Sequence, residues 1–294
     1  MSSPNKISRR RFLVRGSTAT IAGLGVYAFG IEPRWISVER HDLPIDDLPA
    51  DLEGATAVQL SDLHVGSRVG DNFLISQFEF VQSLNPEFVF FTGDYLDDGS
   101  PWHLKKGLKL LERFPRGSIG NACVLGNHDH GSGLDQAVAY EKNTQELARQ
   151  FNAVGLNLLR GESVDLGGLK VAGLRDFWLG GMTYPSAMAA IDEVKEHPSI
   201  VLSHNPDTVD LPIWDGYNGW ILCGHTHGGQ CRFPLIGAPI CPVSNKRYVA
   251  GFYDIEGGHR LYISRGIGHT RRVRFMARPE ITVFTLKRAK ASTA

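Results

Sequence analysis

Short apolar runs alternate with amphipathic stretches along most of this chain, a pattern that indicates an α/β protein. Three runs recur at similar spacing, over residues 55–60, 88–92 and 121–125, and we expect each to be a buried strand. Helical patterns over about 71–84 and 102–113 separate them. Each repeat therefore has about the length of one β-α-β unit.

The pattern continues to about residue 223 and then changes. The remaining predicted elements are strands at 164–166, 170–174, 200–203 and 220–223, with helices at about 135–153 and 186–196. Residues 230–286 predict several short strands with glycine turns and little helix. Since no internal repeat or domain boundary interrupts this body, we expect one domain over 51–288.

The first thirty residues have the pattern of an export signal. Residues 1–17 are basic and residues 18–31 are apolar, and 8–13 resemble the core of a twin-arginine signal. The apolar stretch is fourteen residues long, which is short of the roughly 20 that a spanning helix needs. We therefore predict a signal peptide or an uncleaved anchor over 1–30, the alternative being a short buried helix.

An export signal implies the twin-arginine export machinery as a partner and a periplasmic or cell-envelope location, with a membrane anchor as one alternative. Residues 31–50 contain several prolines and predict either a linker or an edge strand.

The charge balance changes once this segment is set aside. The chain has 31 basic and 31 acidic residues, and five of the basic ones lie in the first thirty residues, which leaves 26 against 31. The remaining body is mildly acidic. Because nucleic-acid binding usually needs a basic face, we expect no nucleic-acid partner.

The sequence around the four cysteines predicts different roles for them. Cys123 and Cys223 lie in apolar runs, where buried free thiols are expected. Cys231 and Cys241 flank a loop rich in proline and glycine, and could either pair or stay free.

Five polar clusters follow strand-like runs, and together they predict one site. In order they are Asp62-x-His64, Gly93-Asp94-x-x-Asp97, Gly126-Asn127-His128-Asp129, His204-Asn205-Pro206 and Gly224-His225-x-His227. Any one of them is weak evidence, because such short polar groups often occur in turns. Ligands of open α/β sheets bind beyond the carboxyl ends of strands, which is where all five clusters are predicted.

This set of clusters resembles the calcineurin-like metallophosphoesterases, whose pattern runs D-x-H, G-D-x-x-D, G-N-H-D/E, H and G-H-x-H. The sequence around these clusters is similar to that of small exported or membrane-associated bacterial members. The segments concerned are SDLHVG, FTGDYLDD, LGNHDH, LSHNPD, CGHTHGGQ and ISRGIGHT. The resemblance covers roughly 55–286 with every ligand position present. It implies a four-layer α/β/β/α sandwich in which two mixed sheets pack face to face.

The resemblance also implies two divalent ions and a ligand set for each. One shell consists of Asp62, His64 and His227, the other of Asn127, His204 and His225, with Asp94 bridging them. Oxygen and imidazole ligands without thiolate favour Mn, Fe or Zn.

The implied reaction is hydrolysis of a phosphomonoester or phosphodiester by a hydroxide held between the ions. His128 would act as general acid or charge stabiliser, and Asp97 would pair with it and set its tautomer. Asp97 could instead be a solvated loop carboxylate, since Asp98 and Asp129 compete for that role.

Three residues are predicted to contact the substrate. Asn127 and His128 lie in the implied site, whereas Arg265 could either bind the phosphate at the rim or be a surface charge on a strand. The basic run over 271–274 is expected to be solvated or to face an anionic membrane.

Two other functions remain open at this point. A pyrophosphate hydrolase acting on a lipid or sugar-nucleotide would use the same site, and an open site without a large cap would also suit a diester or a lipid headgroup. A non-catalytic scaffold should show gaps among the ligands, and the sequence has none.

Overall fold

Two β-sheets stacked face to face form the centre of the molecule. The structure, a computed structural model, describes residues 8–131 and 133–289. The strands are β1 (Ser37–Asp46), β2 (Thr56–Leu60), β3 (Phe88–Thr92), β4 (Gly120–Val124), β5 (Glu162–Leu166), β6 (Leu169–Gly173), β7 (Ser199–Leu202), β8 (Trp220–Cys223), β9 (Gly251–Asp254), β10 (Arg260–Ile263) and β11 (Glu280–Ala289). The helices are α1 (Arg9–Val26), α2 (Asp71–Ser83), α3 (Pro101–Leu111), α4 (Asn127–His130), α5 (Leu134–Ala153) and α6 (Tyr184–Asp192).

Both sheets are mixed, as the sequence predicts. The first has five strands in the order β1-β11-β2-β3-β4, in which only the β11–β2 pair is antiparallel. The second has six strands in the order β5-β6-β7-β8-β10-β9, with antiparallel pairs at its two edges. The central parallel strands bring their carboxyl ends to one edge of each sheet.

Three separate apolar layers hold this stack together. Strand β3 contributes to two of them, because Phe88 and Phe90 face the second sheet whereas Val89 and Phe91 pack under α2, α3 and α5. The third layer lies between the second sheet and α6 and includes Ile191. A strand covered on both faces is a continuous apolar run, which explains the sequence of β3. The predicted four-layer α/β/β/α sandwich is confirmed.

Helix α6 begins and ends earlier than the predicted range of 186–196. The Thr183 side chain accepts a hydrogen bond from the Ser186 backbone N–H, and Ser186 reaches back to the Thr183 main chain. Pro185 stands in the first turn, where its fixed φ suits a helix start. These capping contacts set the start at Tyr184.

The N-terminal segment is an exposed helix that docks only at its end. Helix α1 continues as a π-helical turn to Ile31 and a 3-10 turn to Arg34, and this segment is long and apolar enough to cross a membrane by length and composition. Only 6% of its most apolar window is buried, unlike the predicted alternative of a buried helix. Residues 1–7 of the predicted signal lie outside the described part.

The chain after α1 joins the first sheet directly. Glu32 is buried and its carboxylate accepts hydrogen bonds from the backbone N–H groups of Met276 and Ala277 at 3.0 and 2.6 Å. Strand β1 then pairs with β11 over ten residues. Residues 37–46 are therefore an edge strand, so the sheet begins before residue 51, the predicted start of the domain.

The cysteines form no disulfide within the described residues. Cys123 and Cys223 are buried free thiols, as predicted. Cys231 and Cys241 are also free, so the pairing considered for the loop between them is absent.

Candidate active site

Every predicted metal ligand lies at one edge of the two sheets. Asp62 and His64 follow β2, Asp94 follows β3, Asn127 begins α4 after β4, His204 follows β7, and His225 and His227 follow β8. All seven are buried. Strand ends from both halves of the chain therefore meet in a single cluster.

Left-handed backbone marks five of these seven residues. Their φ angles are 54° at Asp62, 48° at His64, 56° at Asp94, 71° at His225 and 51° at His227. Each such conformation costs a non-glycine residue on the order of 1–3 kcal/mol, and strain of this kind concentrates at functional sites. The backbone turns sharply at these positions, and both His225 and His227 place ring nitrogens in the cluster.

Two glycines let the loops approach one another closely. A Cβ on Gly126 would lie 2.2 Å from Asp94 Oδ1, and a Cβ on Gly93 would lie 2.6 Å from His204 Nδ1. Gly93 also has a φ of 95°. Any side chain at either position would displace a predicted ligand.

The first group of ligand atoms joins β2 to β8. His64 Nε2 lies 3.1 Å from His227 Nε2, and His227 Nε2 lies 3.4 Å from Asp62 Oδ1. Both oxygens of Asp62 also accept from the His225 backbone N–H at 3.1 Å. Asp62, His64 and His227 match the set predicted for one ion, and their ligand atoms lie within 4.8 Å of one another.

The second group places two imidazole nitrogens close together. His204 Nδ1 donates to the Thr92 carbonyl at 2.8 Å, and His225 Nε2 donates to the Pro242 carbonyl at 2.7 Å. These bonds fix which nitrogen carries the proton in each neutral ring, and in that form His204 Nε2 and His225 Nδ1 would both present lone pairs. They are 3.1 Å apart. Either a second proton on His204 or a cation bound by both nitrogens would remove the repulsion between two such lone pairs.

Asp94 lies between the two groups. Its Oδ2 is 3.2 Å from His204 Nε2 and 3.6 Å from His64 Nε2, one histidine from each group. Its Oδ1 accepts from the His128 backbone N–H at 2.9 Å. Asp94 is therefore placed between the two groups, where the resemblance implies a bridging carboxylate.

The electrostatics of the cluster favour added positive charge. Burial lowers the pKa of His64 and His227 well below their usual range, and burial together with His204 lowers the pKa of His225 to about 3. Burial also opposes charge on His204, but the negative charge of Asp94 raises its pKa to about 10. Three imidazoles are thus neutral and able to bind a cation, while the fourth retains a proton beside the carboxylates.

Asn127 supplies a further observation in favour of a metal. Its Oδ1 is buried, and within the described residues it has no hydrogen-bond partner. A buried carbonyl oxygen without a partner costs on the order of 1–3 kcal/mol, and metal ligation would satisfy it. The donor set therefore fits divalent cations, with carboxylate, amide and imidazole ligands and no thiolate.

The contact predicted between His128 and the Asp97 carboxylate is wrong. His128 Nδ1 donates to the main-chain carbonyl of Asp97 at 2.8 Å. The Asp97 carboxylate instead binds Arg68 Nη1, at 2.6 and 2.7 Å. The rival carboxylate of Asp98 binds His103. A backbone carbonyl therefore holds Nδ1 of His128, and Nε2 is the nitrogen left for another partner.

The rim contact predicted for Arg265 is also wrong. Its guanidinium binds Glu39 at 2.6 Å and Glu280 at 2.9 Å, and its Nε donates to the Arg278 carbonyl. These partners belong to β1, β11 and the segment before β11. Arg265 thus links the edge strand β1 to its neighbour β11, and its guanidinium is already engaged by two carboxylates.

Arg274 departs from the prediction that residues 271–274 are solvated. It is fully buried and donates to the carbonyl oxygens of Gly268 and Ala277 at 2.5 and 2.8 Å. Its Nη2 also lies 3.3 Å from His227 Nδ1. Arg271 and Arg272 remain exposed, as expected. Arg274 therefore packs directly behind a predicted ligand, which the sequence pattern did not reveal.

Asp129 joins two of the ligand loops, a role that the sequence analysis missed. Its Oδ1 accepts from the Leu96 backbone N–H at 2.8 Å, and its Oδ2 accepts from those of Gly126 and Tyr95 at 2.9 and 3.2 Å. The loop after β3 and the loop after β4 are thus held by one buried carboxylate. Its place next to His128 in the motif was the only signal.

An open cavity of about 790 Å³ lies over the cluster. Asp94, Asn127 and His128 line its floor, and its walls include several apolar side chains. One of them is Trp178, whose ring meets that of His225 edge-on at 4.5 Å. Asp176 holds the turn that carries this tryptophan by accepting three backbone N–H bonds. The site is thus polar at its base and apolar at its mouth.

We predict that Asp129→Asn destabilises the metal-free protein by about 2–3 kcal/mol, because an amide nitrogen would face backbone donors that now bind a carboxylate. The measurement is the free energy of unfolding from urea titration. Asp254→Asn, a change at an exposed strand end, is the control and should stay within about 0.5 kcal/mol of the parent. An equal decrease in the free energy of unfolding in the two variants would contradict the role of Asp129.

Comparison with known proteins agrees with the family resemblance seen in the sequence. The sequence model of the Calcineurin-like phosphoesterase family matches residues 55–229. The uncharacterized metallophosphoesterase YkuE of Bacillus subtilis is 33% identical over 96% of this chain and 98% of its own length. Phosphodiesterase YaeI of Escherichia coli is 31% identical over 95% of this chain and 99% of its own length.

A more distant relative has a more specific name. The UDP-2,3-diacylglucosamine pyrophosphatase LpxG of Chlamydia muridarum is 26% identical over 92% of this chain and 98% of its own length. The family match covers more than half of the chain, and it coincides with a buried cluster of carboxylates and imidazoles at the strand ends. This chain therefore belongs to the calcineurin-like phosphoesterase family and is a metallophosphoesterase, a hydrolase of phosphate esters.

Proposed function

We propose that this chain hydrolyses phosphomonoesters or phosphodiesters with two divalent ions, Mn, Fe or Zn, and that it acts outside the cytoplasmic membrane. The observation that carries the two-ion proposal is Asp94, whose Oδ2 lies within 3.6 Å of a histidine nitrogen from each group. In this proposal Asp62, His64 and His227 hold one ion. Asn127, His204 and His225 hold the other, and Asp94 is shared.

When bound, the two ions would supply an activated water nucleophile and neutralise charge on the phosphoryl oxygens. The chain itself prepares the ligands. The carbonyls of Thr92 and Pro242 fix the rings of His204 and His225, so the nitrogens that bind metal need no reorganisation. Asn127 also lines the cavity, where its side-chain amide N–H would be the group able to donate to a bound phosphate.

His128 is the proposed general acid. Its Nδ1 is held by the Asp97 carbonyl, which leaves Nε2 to deliver a proton to the leaving oxygen. Burial lowers the pKa of His128, but the negative charge of Asp94 and the bond to the Asp97 carbonyl outweigh it, so the pKa is raised. The protonated form needed by an acid is thereby favoured.

A second candidate is hydrolysis of a pyrophosphate in a lipid or sugar-nucleotide. It is favoured by the relative named UDP-2,3-diacylglucosamine pyrophosphatase, and by the apolar side chains around the cavity mouth. The polar floor would serve either bond, because both reactions displace an oxygen leaving group from phosphorus.

The proposed location depends on the N-terminal segment. An exposed helix with arginines in its first turns and apolar residues after them supports a twin-arginine signal or anchor over residues 1–30. The domain predicted at 51–288 follows it, with β1 as an added edge strand. The export machinery and a membrane surface are the partners that follow from it. The mildly acidic body supports the expectation that nucleic acid is not a substrate.

We predict metal-dependent turnover that requires Asp94. Metal-stripped protein is titrated with Mn, Zn and Mg while hydrolysis of p-nitrophenyl phosphate, bis-p-nitrophenyl phosphate and a nucleotide-sugar pyrophosphate is followed. Asp94→Asn should lose more than the roughly 10–100-fold that removal of an outer-shell partner costs. Asp254→Asn is the control that should keep full activity.

The outcomes separate the candidates. Turnover of either nitrophenyl ester supports the phosphoesterase proposal, and turnover of the pyrophosphate alone supports the second candidate. Undiminished turnover in Asp94→Asn would contradict the shared-carboxylate site.

For His128 we predict a loss of activity without a loss of metal. His128→Ala should lower kcat by about 10²–10⁴-fold, the usual contribution of a general acid, because the leaving oxygen would depart without its proton. Metal content is measured by mass spectrometry on the same samples, and exposed His197→Ala serves as control. A fall in bound metal would instead make His128 a ligand.

A further inference from the structure

A short apolar hairpin projects from the mouth of the active site. We define the apolar hairpin as residues 233–240; its turn is closed by two backbone bonds between Phe233 and Gly237, at 2.8 and 2.9 Å. Leu235, Ile236 and Ile240 are 108%, 73% and 78% exposed. Leu235 also has a φ of 67°, a left-handed conformation that costs a leucine energy. Large apolar side chains held out in this way indicate a surface that something else covers.

Both ends of the apolar hairpin are fixed to the catalytic edge. Before it, the Arg232 backbone N–H donates to the Phe275 carbonyl at 2.7 Å. After it, the Pro242 carbonyl accepts from His225 Nε2. Phe233 and Ile240 line the same cavity as His128. Whatever covers the hairpin therefore lies at the entrance to the site.

The end of the N-terminal helix lies next to the apolar hairpin. Phe275 is the link between them, with its ring 6.3 Å from that of Tyr27 and 5.6 Å from that of Phe233. The Arg274 backbone N–H donates to the Ala28 carbonyl at 2.9 Å. The exposed apolar residues of this helical segment include Ile21, Leu24, Val26, Phe29 and Ile31. The apolar hairpin and the N-terminal helical segment therefore project from neighbouring points on the surface of the domain.

Positive charge surrounds these projections. Arg34, Arg232, Arg271 and Arg272 are all exposed, and Arg34 and Arg272 line one small cavity between them. The segments 224–253 and 264–279 contain no acidic residue, although the chain as a whole is neutral. Trp35, half exposed beneath the guanidinium of Arg278 at 4.2 Å, adds an aromatic side chain of the kind enriched at bilayer interfaces.

We propose that the apolar hairpin and the exposed face of α1 enter the same leaflet of an anionic lipid bilayer. Insertion would bring the mouth of the catalytic cavity to the level of the headgroups. The proposal rests on the anchored, extracytoplasmic arrangement proposed above and specifies the surface through which the body contacts the membrane. A second copy of the chain fits less well, because a symmetric contact would place the two sets of arginines against each other.

The test places a fluorophore at the tip of the apolar hairpin in the full-length chain. Ile236→Trp is compared with Ile119→Trp, which alters an exposed isoleucine just before β4, at the opposite end of that strand from the site. Both proteins are reconstituted into vesicles of phosphatidylglycerol and phosphatidylcholine with brominated acyl chains. The quantity recorded is the fluorescence of the introduced tryptophan, which is the emission of each variant in excess of that from the five native tryptophans.

The brominated acyl chains should quench most of the fluorescence of the tryptophan introduced in I236W. They should quench little of the fluorescence of the tryptophan introduced in I119W. Equal quenching of the two variants would overturn the proposal, as would self-association that leaves I236W unquenched. In vesicles of brominated phosphatidylcholine alone, quenching of I236W should weaken, because the arginines lose their anionic partners. Unchanged quenching there would overturn the role given to the charges.

Hydrolysis of the soluble nitrophenyl esters is measured on the same samples. Because the quenching does not depend on turnover, loss of activity with quenching intact would count against the proposed function alone. Full activity without quenching would count against the membrane surface alone.

Discussion

A buried carboxylate surrounded by imidazoles is the constraint on which the rest of this structure depends. Asp94 is 1% exposed and touches histidines that come from both sheets. A buried charge costs several kcal/mol unless opposite charge or hydrogen bonds compensate it. Here a proton on His204 supplies part of that compensation, and cations would supply the rest. Metal binding would therefore be coupled to the folding of this edge.

The scaffold around the cluster is built to resist its strain. Left-handed backbone at five candidate ligands and the crowding of buried carboxylates and imidazoles are unfavourable in isolation. They persist because Asp129, Arg274 and two backbone carbonyls hold the loops through hydrogen bonds with rigid partners. The strands beneath are buried on both faces, so the loops cannot move without disturbing the sheet packing. The site is preorganised by parts that never touch the substrate.

The sequence predicted the fold, and it predicted that the candidate ligands lie together, because both depend on local patterns. Buried strands such as β3 are continuous apolar runs, and the polar clusters follow them directly. What the sequence did not predict depends on partners far along the chain: Asp97 binds Arg68, 29 residues away, and Arg265 binds Glu39, 226 residues away. Arg274 looked solvated because its partners are main-chain carbonyls, which carry no sequence signal. The exposed apolar hairpin likewise becomes visible only once its burial is known.

The central claim is that Asp94 is shared by two cation sites, and anomalous X-ray diffraction from crystals of the manganese-loaded protein tests it most directly. We predict two anomalous peaks, one beside His64 and His227 and the other beside His204 and His225, with the Asp94 carboxylate contacting both. A single peak, or peaks away from Asp94, would contradict the account.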